Sequence, residues 1–322
     1  MLNFTRYMFK HKTGMRFIVG DHHRKICEAL DKVVRGEIKR LIINIAPRYG
    51  KTELVSKNFI AYGLALNPRS KFIHLSYSDD LVLDNSKEIN ETVQSDYYQR
   101  LFPEVVVESK NAKKWYTSVG GGLYAVSAAG QVTGFGAGQV NDPYRERREM
   151  GDFIPAWESD FAGAIVIDDP IKPEDALSET IRERVNNRFE STIRNRVNSR
   201  NTPIIIIMQR LHEHDLCGYL QEIEPEEWTV LSLPCIWHDE NGQEQPLWEF
   251  KHTLEELHKI ERSNSFVFET QYMQNPKPLE GLMYGEFKTY DIIPYAASMK
   301  RKNYTDTADT CLLYTSDAAD DL

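Results

Sequence analysis

Leu41-Ile42-Ile43-Asn44-Ile45 runs directly into Ala46-Pro47-Arg48-Tyr49-Gly50-Lys51-Thr52, and a helical pattern starts near Glu53. A short apolar run ending at a turn reads as a buried strand. A strand, a turn holding Gly-Lys-Thr, and then a helix is the setting a phosphate-binding loop requires. Backbone N–H groups at a helix start point at phosphate oxygens, and the helix dipole favours their charge. Pro47 to Thr52 are the nucleotide-binding candidates. Gly50 lets the backbone come close, Lys51 reaches the β- and γ-phosphates of ATP, and Thr52 is placed to bind Mg2+. The Gly-x-x-x-x-Gly-Lys-Ser/Thr pattern asks for glycine where Ile45 stands. An ordinary turn with a chance Gly-Lys-Thr is the competing reading; the flanking strand and helix favour the phosphate loop.

Outward from the loop, three more apolar runs read as strands: 71–77, 164–167 and 203–208. Unbroken apolar strands separated by helices predict an α/β fold, a P-loop NTPase whose mostly parallel sheet is covered by helices on both faces. The third run ends in Asp168-Asp169. A P-loop ATPase needs a carboxylate at a strand end for Mg2+ and usually a second one to orient the attacking water. Asp168 is the metal candidate and Asp169 the catalytic one, with Glu174 and Glu179 as alternatives if the chain folds back; a plain helix cap is the competing reading. Gln209 and Arg210 follow the fourth run. Residues there sit at the ligand crevice of an open α/β sheet, so either is a candidate γ-phosphate sensor. His212 and His214 are better read as preceding a helix than as a metal pair, because i,i+2 residues do not face each other on one.

Ile181, Val185, Phe189, Ile193 and Val197 recur every fourth residue, which predicts a helix over 176–197. Its arginines, 182, 184, 188, 194 and 196, are expected on a solvated face. The stretch 120–138, with seven glycines in nineteen residues, reads as irregular, and polar 141–160 as an exposed insertion. Beyond Pro234 the pattern weakens: 238–246 reads as loop, 253–261 as a short helix, and Pro276, Pro278 and Gly281 as a linker. His22, His23 and Arg24 are as compatible with a surface role as with adenine contacts. Four scattered cysteines (27, 217, 235 and 311) form no Cys-x-x-Cys pair, so neither a disulfide framework nor a zinc site is indicated. The longest aliphatic stretch, Ile204 to Met208, is far short of the ~20 residues of a membrane helix. With 39 basic and 48 acidic residues among 322, a uniformly basic nucleic-acid coat is excluded, but a local basic patch is not.

The ensemble resembles the large terminase subunit of tailed bacteriophages and prophages, the motor that packages DNA into capsids. The matching stretches are the strand and loop through PRYGKTEL, GGGLYAVSAAGQVTGFGAG, IVIDDPIKPEDALSETIRERV, RFESTIRNRV, IIIIMQRLHEHDL and FETQYMQNP, in the family's order. The resemblance implies a motor ATPase followed by an RNase H-like nuclease, and it accounts for the variant phosphate loop. It makes Arg48 a candidate catalytic arginine, since some members use one in this loop and others take one from a neighbouring subunit. It places Gln209 and Arg210 in the segment that couples hydrolysis to movement. Asn303 to Asp309 resembles the first nuclease strand, with Asp306 as a ligand for Mg2+ or Mn2+.

The expected layout is therefore an ATPase domain at 1–235, a connecting segment at 236–300, the first strand of a nuclease domain at 301–311, and a tail at 312–322 that does not match the family. Thirteen residues follow Asp309, too few for the remaining nuclease acids. The tail resembles translated adapter sequence, which leads us to expect a truncated or misassembled gene whose product does not cut DNA. The implied function is ATP-driven translocation of double-stranded DNA into a prohead. The implied partners are the portal protein, the small terminase subunit and further copies in a ring, in the host cytoplasm and transiently on the prohead portal, with no place in the mature virion. The alternatives are another P-loop DNA motor, such as a helicase or recombination ATPase, and a non-catalytic assembly module.

Overall fold

The computed structural model describes residues 1–109, 111–127, 130, 134–139 and 161–277. Its strands are β1 (Arg40–Ile45), β2 (Lys71–Ser76), β3 (Lys114–Tyr116), β4 (Gly122–Ser127), β5 (Ile165–Asp168), β6 (Ile204–Met208) and β7 (Thr229–Leu233). They form one seven-stranded sheet in the order β3-β4-β2-β5-β6-β1-β7. Every neighbouring pair is parallel except β3 with β4 at one edge. β1, β5 and β6 are consecutive in the sheet and point the same way, so the segments leaving Ile45, Ile167 and Met208 meet at one end.

The apolar strands divide their side chains by parity. Leu41, Ile43, Ile45, Val166, Ile205 and Ile207 face one core. Ile42, Ile165, Ile167, Ile204 and Ile206 face the other. The first core is covered by α1 (Leu2–Thr13), α2 (Asp21–Val34), α3 (Phe59–Leu66) and α4 (Asp79–Gln94), which bring Phe4, Leu30, Phe59 and Val93 among others. Phe189, Ile193 and Leu220 cover the second. A sheet buried on both faces explains why β1 and β6 show no polar alternation.

Several elements differ from the sequence reading. Gly122–Ser127, inside the glycine-rich stretch, is a fully buried strand rather than irregular chain. The stripe over 176–197 is an α-helix only at Glu179–Arg188; it widens to a π-helix at Phe189–Ile193 and tightens to a 3-10 turn at Arg194–Arg196. Three of the arginines are held by the protein itself, so the expected solvated face does not hold for them. Arg182 is buried and donates to Ala176 O at 2.9 Å. Arg188 donates to Gly130 O. Arg194 bridges Glu190 and Glu224.

Residues 236–277, read as a connecting segment, belong to the same compact unit as the sheet, Met1–Leu279. The expected loop at 238–246 is largely a hairpin of β8 (Ile236–His238) and β9 (Glu244–Pro246). The helix Leu254–Ser263 starts at a reciprocal cap, Thr253 with Glu256, which closes two of the free donors at its end. Cys235 N–H donates to Tyr272 O at 2.8 Å, and Leu247 N–H to Cys235 O at 2.7 Å. Among the described residues no helix is long and apolar enough to cross a membrane. The polar insertion at 141–160, Pro278, Gly281, Cys311 and the nuclease strand with Asp306 lie outside the described residues.

Candidate nucleotide site

The phosphate loop leaves β1 and enters a π-helical turn, Thr52–Asn58, before α3. Gly50 sits at φ 81°, and a Cβ there would come within 2.8 Å of His23 Nε2, so only glycine fits. Arg48 takes φ 67° without being glycine and is exposed. Tyr49 is fully buried, with its hydroxyl 3.0 Å from His252 Nδ1. It can therefore meet a phosphate only through its backbone. His22 and His23 are also fully buried, which corrects the surface reading. Burial lowers His22 to about 4; burial, reinforced by the neighbouring His22, lowers His23 to about 3. Their rings and Tyr49 pack around Trp248, with centroids 5.3, 4.9 and 6.1 Å away, so the loop rests on side chains from both ends of the unit. Arg24 remains largely exposed.

The predicted convergence is present for three residues. Lys51 is 6% exposed, and its Nζ donates to Asp169 Oδ1 at 2.6 Å and to Gln209 Oε1 at 2.8 Å. Asp169 follows β5 with a left-handed φ of 46°, anchored by its N–H to Ile207 O on β6. Backbone strain of this kind persists where surrounding structure enforces it and gathers at functional sites. Burial and the neighbouring Asp168 raise the Asp169 pKa to about 6, while Lys51 pulls it down. Asp169 is thus poised to take a proton.

Asp168 is buried next to it. Ser56 Oγ donates to Asp168 Oδ2 at 2.7 Å, and Oδ1 is buried with no partner. A buried carboxylate oxygen without a donor fits a cation. Nucleotide-bound Mg2+ needs only one or two carboxylates beside phosphates and waters, so Asp168 and the half-buried Thr52 suffice to hold it. Among the described residues there is no denser cluster of metal-binding side chains. Thr52 makes no hydrogen bond to Asp168; Ser56, four residues later, does. Sequence reasoning missed Ser56, although its spacing places it one turn from Thr52. Glu174 and Glu179 are exposed.

Arg210 departs from expectation. Its guanidinium is turned away to Asp215, with Nε at 3.0 Å from both carboxylate oxygens, and to the carbonyls of His212 and Glu213. Asp215 also receives the Leu211 and Gly218 N–H groups and caps the helix Leu216–Ile223. Arg210 braces this turn, and its guanidinium does not join Lys51, Asp169 and Gln209. Its side chain is 12% exposed and that of Asp215 0%. Removing one partner of a buried ion pair leaves an uncompensated charge. Arg210→Ala is therefore expected to destabilise the fold by about 3 kcal/mol, read as a lower urea midpoint with unchanged slope. An unchanged midpoint would contradict the brace.

No known family model matches the chain, and no curated protein does either. Solved structures do. The HK97 bacteriophage large terminase superposes with a TM-score of 0.50 at 12% identity, covering 82% of this chain and 52% of that one. This is a fold carried by a phage large terminase. The chain spans about half the length of that structure. An ATPase-domain mutant of the Thermus phage P74-26 large terminase gives 0.46 at 11% identity, covering 73% of this chain and 88% of that one. A large terminase from a thermophilic bacteriophage, in complex with ADP, gives 0.43 at 11% identity over 76% of this chain and 52% of its own.

Proposed function

We propose that this chain is an ATP-hydrolysing motor subunit that translocates double-stranded DNA, as in viral genome packaging. The observation that carries the enzymatic part is Lys51 clasped between Asp169 and Gln209 at the ends of three parallel strands, beside the orphan oxygen of Asp168. Support for the DNA-packaging part is the resemblance of the sequence stretches and a fold shared with a large terminase.

The residues divide the work. Backbone N–H groups of Pro47 to Thr52, less proline's own, cradle the phosphates. Lys51 exchanges its hold on Asp169 for the nucleotide's charge. The released Asp169 carboxylate orients a water and accepts its proton, a task suited to a raised pKa. Gln209 stays beside Lys51 and fixes its direction. Asp168 and Thr52 would hold Mg2+, whose charge would offset that of the phosphates. Arg48, exposed on the loop, is free to meet charge in its own site or a neighbour's. The partners proposed with this function are double-stranded DNA, a portal protein, a small terminase subunit and a ring of copies, in the host cytoplasm and transiently at the prohead portal. A body of net charge −9 needs only a local basic surface to slide on DNA.

ATP turnover by the full chain is expected to rise on adding double-stranded DNA and to vanish in Asp168→Ala. Unwinding of a forked duplex would favour a helicase instead. A chain that binds no ATP would favour an assembly module.

A further inference from the structure

The stretch 268–276 carries a buried glutamine. Gln274 comes just after the π-helical turn Phe268–Tyr272, is 6% exposed, and holds φ at 57°. Glycine or asparagine occupies that backbone region more readily than glutamine. Gln274 Oε1 accepts the Arg210 N–H at 3.0 Å, and its Nε2 donates to Gln271 O. The turn is held from the other side by Cys235 N–H on Tyr272 O. It is thus tied to the chain just after β6 and just after β7.

The position of the Arg210 bond matters. Arg210 adjoins Gln209, whose Oε1 touches Lys51. The guanidinium of Arg210 is locked on Asp215, so both its side chain and its N–H are fixed. We propose that Gln274 is a positioning residue for Gln209: it pins the backbone at the end of β6 so that the Gln209 carboxamide stays on Lys51. The contact also makes 268–277 a reader of nucleotide state, because any shift of Gln209 when Lys51 turns to a phosphate moves the N–H that Gln274 holds. This role rests on the proposed nucleotide site.

Gln274→Leu keeps the bulk of the side chain but removes the acceptor; Gln274→Glu keeps an acceptor. The leucine variant is expected to lose about tenfold in kcat with KM for ATP nearly unchanged, and the glutamate variant to retain most of the rate. In a Gln209→Leu background, Gln274→Leu is expected to have no further effect. Independent, multiplying losses, or a glutamate variant as slow as the leucine one, would overturn the assignment. A second readout needs neither turnover nor a variant. Hydrogen exchange of 268–277 in the wild-type chain is expected to change on adding ATP-γ-S with Mg2+. Nucleotide bound with unchanged exchange there would overturn the role of Gln274 alone. A chain that binds no nucleotide would overturn the nucleotide site and this role with it.

Discussion

Lys51→Met is expected to lower ATP turnover by about 10²–10³-fold while the protein stays folded. Methionine keeps the apolar stem that fills the space under the loop but removes the charge. Three things are lost together. The phosphates lose their cation in a site where little water screens it. Asp169 loses the partner that holds its pKa down, so burial and Asp168 push it further up. Gln209 loses the group it orients on. Because Asp169 can take up a proton when unpaired, and a quarter of its side chain meets solvent, the fold tolerates the change. Steady-state hydrolysis, with a thermal melt beside it, checks both halves. A variant hydrolysing at the wild-type rate would remove Lys51 from the chemistry.

Acid is the second strong lever. His22, His23 and His74 are fully buried and neutral, with pKa values lowered from 6.5 to about 4, about 3 and about 4, chiefly by burial. His74 lies in β2, between Val166 O and Asn85. The folded pKa values lie below the unfolded ones, so protons bind the unfolded chain preferentially. Above pH 6.5 the rings are neutral in both states and exert no pull. As the pH falls from 6.5 toward 4, stability is lost, by about 2 kcal/mol per ring at pH 5. Three rings together approach the whole margin of a typical domain, about 5–15 kcal/mol. His258 works in the opposite sense, since Glu261 and Glu244 raise its pKa, but it lies at the surface and is screened. Urea unfolding at pH 7.5 and pH 5.0 should show a steep loss, with an uptake of about three protons on unfolding. Equal stability at the two values would mean that these rings ionise inside the fold.

The two levers differ in how openly the sequence announces them. The convergence of Lys51, Asp169 and Gln209 was legible because each comes after an apolar run that reads as a buried strand. Once those strands are parallel neighbours, their ends meet without any further signal. β4 was hidden because Gly120 to Gly122 open it, and glycine argues against a strand until the fold buries it. β7 lacks the marker altogether: it is an edge strand, and Thr229, Val230 and Ser232 are exposed. The burial of His22, His23 and Tyr49 depends on Trp248, about two hundred positions beyond Tyr49, so no local window contains its cause. Arg210 stands apart from the cluster because Asp215, five residues on, holds its guanidinium. Gln274 was unreadable for the same reason at longer range: its partner is a backbone N–H 64 residues away.

The packing of Trp248 and His252 against the phosphate loop has a mechanical consequence. Tension applied to the chain at residue 277 is taken up by the Gln274 contact at the end of β6, by the Cys235–Tyr272 bond, and then by the rings stacked behind Gly50. Those attachments end beside the residues around Lys51: Arg210 adjoins Gln209, and Tyr49 lies two positions before Lys51. For the proposed motor, a load on this segment would therefore reach the residues around Lys51, and the expected result is an ATP turnover rate that depends on the force applied there.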